Sequence, residues 1–163
     1  MIRPLAEMDY QEAISIVNEN WKSIYAEYVN PDLLGDAGCS ARELELMNEF
    51  RRRDLGEYVW EEDGQVLALL SIGDTADSDK AGAFEIWRIY IAQRAQGNGI
   101  GSRLLAFAEA FAKEKGYGEI VIWAFKENTR AIAFYQKHGY RIEKEEYLEA
   151  PYFAYSTRLL KRV

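Results

Sequence analysis

Gln96-Gly97-Asn98-Gly99-Ile100-Gly101-Ser102 is the stretch that decides the fold, because it joins a β-rich run to an amphipathic helix. Glycines at such a junction let the backbone curl tightly and turn successive N–H groups toward one point. The N-terminus of the helix that follows adds a positive partial charge. Residues 96–102, which we call the glycine turn, are therefore suited to hold a phosphate or a pyrophosphate.

Two well-known phosphate-binding fingerprints do not match the glycine turn. A P-loop needs Gly-Lys-Ser or Gly-Lys-Thr, and neither tripeptide occurs in the chain. A dinucleotide-binding G-x-G-x-x-G that starts at Gly97 needs glycine where Ser102 stands, and Glu119 begins a strand instead of ending one. The turn does match Gln-x-x-Gly-x-Gly at residues 96–101. Taken alone, such a turn is also common as a plain connection between a strand and a helix.

Hydrophobic periodicity on both sides of the turn predicts seven strands. They cover residues 2–5, 57–62, 65–72, 84–92, 119–125, 140–149 and 152–161. Asp63-Gly64 predicts a two-residue hairpin, because both turn positions need positive φ. Residues 73–82 are polar and small, and they predict an exposed loop.

Four helices are predicted, and three of them have side-chain caps. The caps are Asp9 with Glu12, Ser40 with Glu43, and Asn128. The first helix is expected to reach Tyr28, and residues 33–39 form a loop before the second. The order of elements predicts an α/β fold, a mixed sheet with helices on both faces, in a single domain over residues 1–163.

Composition excludes several classes of protein. Twenty basic residues against 27 acidic ones give a net charge of −7, which disfavours nucleic acid and favours cationic ligands. One cysteine and one histidine leave neither a disulfide framework nor a metal site. No apolar run approaches the roughly 20 residues that cross a bilayer, and the first residues lack the apolar stretch of a signal peptide. We therefore expect a cytoplasmic protein that binds no membrane, nucleic acid or metal.

Three segments together resemble the GNAT family of acetyl-CoA-dependent N-acetyltransferases. The glycine turn is similar to the family's pyrophosphate loop, and residues 85–91 are similar to its central strand. Asn128, Ala131, Tyr135 and Gly139 match the family's downstream signature. The resemblance covers nearly the whole chain. It implies a single GNAT-like domain whose central sheet is mostly antiparallel, with one splayed parallel strand pair.

The resemblance also implies that an acetyl group is transferred from acetyl-CoA to a primary amine. An alkylammonium with a pKa of about 10.4 cannot attack until it loses a proton. Glu85 stands where some family members carry a catalytic glutamate, and it would act as general base through a water. The alternative is a strand-edge carboxylate paired with an arginine. Alternation along the strand predicts that Glu85, Trp87, Ile89 and Ile91 share one face.

Further roles follow from the same resemblance. Tyr135 would be the general acid for the leaving thiolate, the alternative being a core tyrosine bonded to a backbone carbonyl. A backbone N–H near Ile91 would stabilise the oxyanion. The residues expected to hold acetyl-CoA, the co-substrate, are Ile91, Gln96, Gly97, Asn98, Gly99, Gly101, Ser102 and Asn128.

In GNAT proteins the acceptor site is built from the first two helices and the last two strands. Here these regions supply Trp21, Tyr25, Tyr28 and Tyr152. Aromatic faces in an acidic chain suit a cationic amine, so we predict a small-molecule amine acceptor such as a polyamine. Core packing explains the helical spacing of the first three equally well. A protein N-terminus or lysine as acceptor, a non-catalytic acyl-CoA-binding sensor and a homodimer stay open.

Overall fold

A seven-stranded mixed sheet forms the centre of the computed structural model, which describes residues 1–163. The strands are β1 (Ile2–Pro4), β2 (Gly56–Glu62), β3 (Gln65–Asp74), β4 (Phe84–Ile91), β5 (Glu119–Phe125), β6 (Arg141–Leu148) and β7 (Ala154–Arg162). Their order in the sheet is β1-β2-β3-β4-β5-β7-β6, and only β4 and β5 run parallel. The predicted mixed sheet and its strand sequence are confirmed.

Four helices cover the sheet on both faces, as predicted. They are α1 (Tyr10–Ile24), α2 (Asp36–Arg52), α3 (Ile100–Glu114) and α4 (Thr129–Lys137). On one face Leu69 of β3 packs against apolar side chains of α1 and α2. On the other face the next residues of β3, Ala68 and Leu70, pack in the larger cluster that includes α3. No helix combines the length and the apolarity that a membrane crossing needs.

The predicted capping box at the start of α1 is not formed. Asp9 does occupy the N-cap, but its carboxylate accepts two bonds from the Arg3 guanidinium, at 2.7 and 2.9 Å. It also accepts the N–H of Ala6 at 2.8 Å. The carboxylate is thus committed to the chain before the helix, and no capping box with Glu12 forms. The helix ends at Ile24, short of the predicted end.

The second predicted cap, Ser40 with Glu43, is wrong because α2 begins at Asp36 and Ser40 lies inside the helix. Gly38 makes the earlier start possible. A Cβ on Gly38 would lie 2.5 Å from the backbone carbonyl carbon of Leu33. The first turn of α2 therefore packs directly on the preceding short 3-10 turn, where a loop was expected.

A β-bulge at Trp87 decides which side chains of β4 reach each face. Ile86 pairs with Ile72 and Arg88 pairs with Ser71, so Trp87 is an extra residue with no partner on β3. A bulge adds one residue and exchanges the faces of the strand beyond it. The side that we call the α3 face carries Phe84, Ile86, Ile89 and Ile91, and the α1 face carries Glu85, Arg88 and Tyr90. The predicted grouping of Glu85 with Ile89 and Ile91 is wrong for this reason.

The parallel pair separates soon after it starts. Phe84–Ile86 pair with Ile120–Ile122, whereas β4 continues to Ile91 and β5 to Phe125 without further pairing between them. This is the predicted splayed pair. The divergence opens a cleft through the sheet that joins the α3 face to the α1 face.

The connection between β3 and β4, residues 75–83, is anchored to the sheet and is not the freely exposed loop predicted for residues 73–82. We call it the strap. Its Asp77 and Asp79 pair with Arg158 of β7, whose side chain is only 2% exposed. The predicted hairpin at Asp63-Gly64 is present, with φ values of +50° and +76°.

Candidate active site

A cavity of about 420 Å³ occupies the cleft between the diverging ends of β4 and β5. Parts of α1, the glycine turn and α4 complete its walls. The residues of the predicted site that lie in this lining are Tyr25, Ile91, Gln96, Gly97, Gly99, Gly101, Ser102, Asn128 and Tyr135. Those that do not lie in it are Trp21, Tyr28, Glu85, Asn98 and Tyr152. Most of the residues predicted for the co-substrate are therefore brought together.

The glycine turn presents backbone donors at one end of this cavity. Gly97 and Gly99 have φ values of +81° and +77°, a conformation that glycine adopts without strain. The N–H of Arg103 makes the first helical bond of α3, to the Gly99 oxygen at 3.2 Å. The N–H groups of the helical residues before Arg103 have no partner within α3, so they are available to an anion.

Gly101 lets three elements come together at the turn. A Cβ at this position would lie 3.3 Å from Cδ1 of Ile91 and 3.4 Å from Cζ of Phe134. The bare backbone of α3 therefore sits directly against β4 and α4. This close packing sets the glycine turn beside the end of the strand that borders the cleft.

The main-chain oxygen of Ile91 is held by two side-chain amides. Nε2 of Gln96 donates to it at 3.2 Å, and Nδ2 of Asn20 donates at 3.0 Å. The predicted cofactor residue Gln96 therefore braces the turn against β4. Sequence reasoning missed Asn20, although its spacing from Val17 puts a polar amide on the apolar stripe of α1, and this was the available signal.

The N–H of Ile91 points into the cleft. The neighbouring N–H of Ala92 donates to the Leu67 oxygen on the β3 side, at 2.8 Å. Successive N–H groups of a strand point to opposite sides, so that of Ile91 faces away from β3. It is a fixed donor at the place where the sequence predicted an oxyanion contact.

His138 ties the glycine turn to α4. Its Nδ1 lies 2.8 Å from the Phe134 oxygen, and its Nε2 lies 3.1 Å from the Ser102 hydroxyl. A carbonyl oxygen only accepts, so Nδ1 carries a proton and donates it to the Phe134 oxygen. The contact of Nε2 with Ser102 fixes the first turn of α3 relative to the helix that carries Tyr135.

Glu85 lies on the α1 face beside the cleft, and its side chain is buried, with 5% of the residue exposed. Its Oε2 accepts the Thr75 hydroxyl at 2.7 Å, so its hydrogen-bond partner is a hydroxyl and not the arginine of the alternative interpretation. Burial is the main cause that raises the pKa of Glu85 to about 7, and the nearby Asp77 adds to it. A carboxyl that titrates near neutral pH can both take up and release a proton under working conditions.

Tyr135 lies in the wall of the cavity with an uncommitted hydroxyl. The ring packs against Phe134 and Tyr140, at centroid distances of 5.4 and 6.0 Å. Burial, and to a smaller extent Tyr90, raises the pKa of Tyr135 above its ordinary value, and no hydrogen bond acts on the hydroxyl. The phenol therefore keeps its proton. Sequence reasoning missed Tyr90, which lines the same cavity, because the bulge sets its face.

The four aromatic residues predicted for the acceptor gather around Phe125, at the end of β5. Trp21, Tyr25, Tyr28 and Tyr152 have ring centroids between 5.1 and 6.3 Å from that of Phe125. The guanidinium of Arg42 stacks on Trp21 at 4.0 Å, so that ring face is already occupied. Only Tyr25 of the four lines the main cavity. Neither Phe125 nor Arg42 was predicted, since both contacts are long-range.

A second cavity of about 270 Å³ adjoins the first, and the two share Ile24, Asn128 and Arg130. Its remaining lining residues are Glu27, Tyr28, Glu127 and Thr129. The Tyr28 hydroxyl is buried without a partner. Burial and the charge of Glu127 raise the pKa of Tyr28. The residues of the chain form no group of three or more His, Cys, Asp or Glu side chains suited to a metal ion.

Comparison with known proteins adds three findings. A sequence model described as the acetyltransferase (GNAT) family matches residues 15–140. The chain is 27% identical over 152 residues to the spermidine N(1)-acetyltransferase of Thermoplasma acidophilum, an alignment that covers 87% of this chain and 88% of that protein. Solved structures with a similar fold include two N-acetyltransferases.

The first of these is the PaiA N-acetyltransferase of Thermoplasma acidophilum in complex with coenzyme A. It has a TM-score of 0.75 and 23% identity, with 96% of each chain covered. The second is an N-acetyltransferase from Staphylococcus aureus Mu50, with a TM-score of 0.77 and 23% identity over 99% of this chain and 97% of that one. At these identities the structures show that the fold is shared.

Proposed function

The chain belongs to the acetyltransferase (GNAT) family, and we propose that it moves the acetyl group of acetyl-CoA directly to a primary amine in a ternary complex. One observation carries the proposal. The cleft between β4 and β5 brings the unpaired donors of the glycine turn, the Ile91 N–H and the Tyr135 hydroxyl to a single cavity. A phosphate group, a developing oxyanion and a leaving thiolate need these three kinds of donor.

The two faces of the sheet suit two different substrates. The glycine turn belongs to the α3 face, where Gly101 packs on Ile91, and its donors fit a pyrophosphate there. Glu85 and the aromatic helix α1 belong to the α1 face, where the amine would enter. The cleft is the passage between the faces, so the amine and the thioester meet inside it. This arrangement supports direct attack without an acetylated enzyme.

The residues then have the following roles. Glu85 takes a proton from the ammonium through a bridging water, and the freed nitrogen forms a bond to the acetyl carbon. The Ile91 N–H donates to the carbonyl oxygen as negative charge develops on it. Tyr135 gives its proton to sulfur as the carbon–sulfur bond breaks, and the second proton of the nitrogen, lost as the amide forms, restores the phenol. Acetyl-CoA supplies the activated thioester, and Asn128 and the turn residues, with Asn98 as a further prediction, would hold it.

For the acceptor we propose a small cationic amine such as a polyamine. The chain carries a net charge of −7, and the second cavity presents the carboxylates of Glu27 and Glu127 next to the aromatic cluster. A protonated amine beyond the reacting one would be stabilised between such groups. The similarity to a spermidine acetyltransferase supports the same class.

The test begins with thermal unfolding in the presence of acetyl-CoA, with acetate and ATP as controls. A ligand at 100 times its Kd stabilises the folded protein by about 2.7 kcal/mol, which raises the Tm by several degrees. A panel of spermidine, putrescine, a monoamine and a lysine peptide is then followed by release of free thiol. Spermidine or putrescine should be the best substrate.

The outcomes separate the alternatives. Glu27→Gln and Glu127→Gln should raise the KM for spermidine and leave that for the monoamine unchanged. Preference for the lysine peptide would contradict the acceptor class but keep the chemistry. Binding of acetyl-CoA without thiol release from any amine would instead indicate a non-catalytic sensor. An unchanged Tm at millimolar acetyl-CoA would refute the whole proposal.

A further inference from the structure

The strap connects β3 to β4 and also contacts three other strands, β5, β6 and β7. Its ends close on each other, because the Thr75 N–H donates to the Ala83 oxygen at 3.1 Å. Between these ends it touches β5, where the Trp123 indole donates to Asp77 at 2.9 Å. Lys80 pairs with Glu119 of β5 and with Glu143 of β6, at 3.3 and 2.8 Å. The strap is therefore fixed over the half of the sheet that lies beyond the cleft.

Arg158 of β7 is the anchor of the strap. Its guanidinium donates to Asp77 at 3.0 Å and makes a two-bond contact with Asp79, at 2.8 and 2.7 Å. Its Nε also donates to Glu143 at 2.9 Å. The planar guanidinium can satisfy several carboxylates at once because its donors form a rigid fork. The position of Asp77 is thus set from both β5 and β7.

The Thr75 hydroxyl links the backbone of Asp77 to the carboxylate of Glu85. The N–H of Asp77 donates to the Thr75 Oγ1 at 3.2 Å, and the same oxygen donates its own proton to Oε2 of Glu85 at 2.7 Å. A hydroxyl has one proton and two lone pairs, so accepting from Asp77 leaves that proton for Glu85. Oε2 thus accepts the hydroxyl proton, and the backbone N–H of Ala76, in the same strap, also acts on the carboxylate.

We propose that Arg158, Asp77 and Thr75 form a positioning chain that orients Glu85 for proton transfer. The inference rests on the proposed function, because it assigns a cause to the geometry of the base named there. None of the three residues touches the reacting atoms in this role. They act through the orientation and the charge state of one carboxylate.

Each residue of the positioning chain shifts the pKa of Glu85 in a direction that can be measured. The charged groups that act on Glu85 are Asp77 in the strap and Arg158 on β7, since its partners on the neighbouring strands are Gly73 and Val121. The Thr75 bond, the Ala76 N–H and Arg158 lower the pKa of Glu85, and Asp77 raises it. Loss of the Thr75 hydroxyl should therefore move the titration up, and loss of the Asp77 charge should move it down.

The experiment is a carboxyl ¹³C NMR titration of protein labelled at the glutamate side chains, which needs no acceptor. Glu85→Gln identifies the Glu85 signal by its disappearance. The signal of the unmodified protein should titrate near pH 7. Thr75→Val should raise this midpoint by about one pH unit, as expected when a hydrogen bond to a charged group is lost. Thr75→Ser keeps the hydroxyl and should restore the original midpoint.

Two further variants test the rest of the chain. Asp77→Asn should lower the midpoint, opposite in sign to Thr75→Val. Arg158→Lys keeps a charge but cannot make the two-bond contact, so it should shift the midpoint upward. If Arg158→Lys does not fold, the pair of Thr75 variants still decides the question.

Two results would overturn the positioning chain. One is an identical midpoint in Thr75→Val and the unmodified protein, and the other is a Glu85 signal that titrates at the ordinary glutamate value. The proposed function fails on separate grounds, if the protein binds no acetyl-CoA or releases no thiol with any amine. A normal thiol release together with an unchanged Thr75→Val midpoint would therefore remove this inference alone.

Discussion

Replacing Tyr135 with phenylalanine removes one oxygen atom from the wall of the main cavity and leaves the ring in place. The ring contacts with Phe134 and Tyr140 are kept, and no hydrogen bond of the protein is lost, because the Tyr135 hydroxyl has no partner. Stability should therefore change by less than about 1 kcal/mol. For a chain of this length such a change corresponds to less than about 4 °C in Tm.

The effect on turnover should be far larger. A positioned general acid contributes about 100- to 10,000-fold, which corresponds to about 3–5 kcal/mol of transition-state free energy. The loss should appear in kcat, with little change in the KM for acetyl-CoA, because the leaving thiolate needs the proton only as the carbon–sulfur bond breaks. The separation between a large kinetic effect and a small thermal one is the signature of the acid.

The assay is thiol release with the best amine of the panel, run beside a thermal unfolding scan. Tyr140→Phe is the matched control, since Tyr140 is 3% exposed and lies outside the cavity lining. It should keep its activity. Equal thiol release by Tyr135→Phe and Tyr140→Phe would refute the reasoning and remove Tyr135 as the acid.

Further predictions concern the base, the turn, the cap and the buried charges. Because the pKa of Glu85 is about 7, kcat/KM should fall as the pH drops below 7 and the base becomes protonated, and Glu85→Gln should lose this limb of the profile; an unchanged limb would count against the base. Gly99→Ala forces alanine to a φ of +77° at a cost of about 1–2 kcal/mol, so it should lower the Tm and weaken acetyl-CoA binding. Gly118→Ala, at a position without positive φ and with open space for a Cβ, is its control, and equal effects would contradict the role of the turn. Asn128→Ala removes the bond that caps α4 and should cost about 1 kcal/mol in chemical unfolding, whereas Asn128→Asp should restore stability but leave the KM for acetyl-CoA raised; a normal KM would limit Asn128 to capping. Burial raises the pKa of Glu57 to about 7 as well, so the folded protein binds more protons than the unfolded chain between about pH 4.5 and 7. The free energy of unfolding in urea should fall as the pH rises through this window, and Glu57→Gln should flatten the slope.

The parts of the fold that follow from local pattern could be predicted from the sequence. The Asp63-Gly64 hairpin depends on the φ preferences of two neighbouring residues, and the glycine turn depends on a few consecutive ones. The order of strands and helices follows from periodicities that each segment carries by itself. Nine of the predicted site residues meet in one cavity because that order places the turn, the strand ends and α4 side by side.

The predictions that were wrong concern features that depend on contacts between residues distant in the sequence. The bulge at Trp87 exists only in register with β3, so alternation within β4 could not show that Arg88 and Tyr90 change face. The strap resembles an exposed polar loop until Arg158, 81 residues after Asp77, pairs with it. The Asp9 cap failed for the same reason at shorter range, because Arg3 competes for the carboxylate.

The short junction between β4 and β5 divides the sheet into two leaves. One leaf holds β1 to β4 and the other holds β5, β7 and β6, and three residue pairs join them directly. The strap also ties the first leaf to the second through Arg158, so the leaves are least connected at the end of the cleft that lies away from the strap. A ligand bound across the cleft would contact both leaves. Amide hydrogen exchange should therefore slow in β5, β7 and β6 as well as beside the ligand. A substrate bound across the cleft would therefore stabilise both leaves of the sheet against local opening during each turnover.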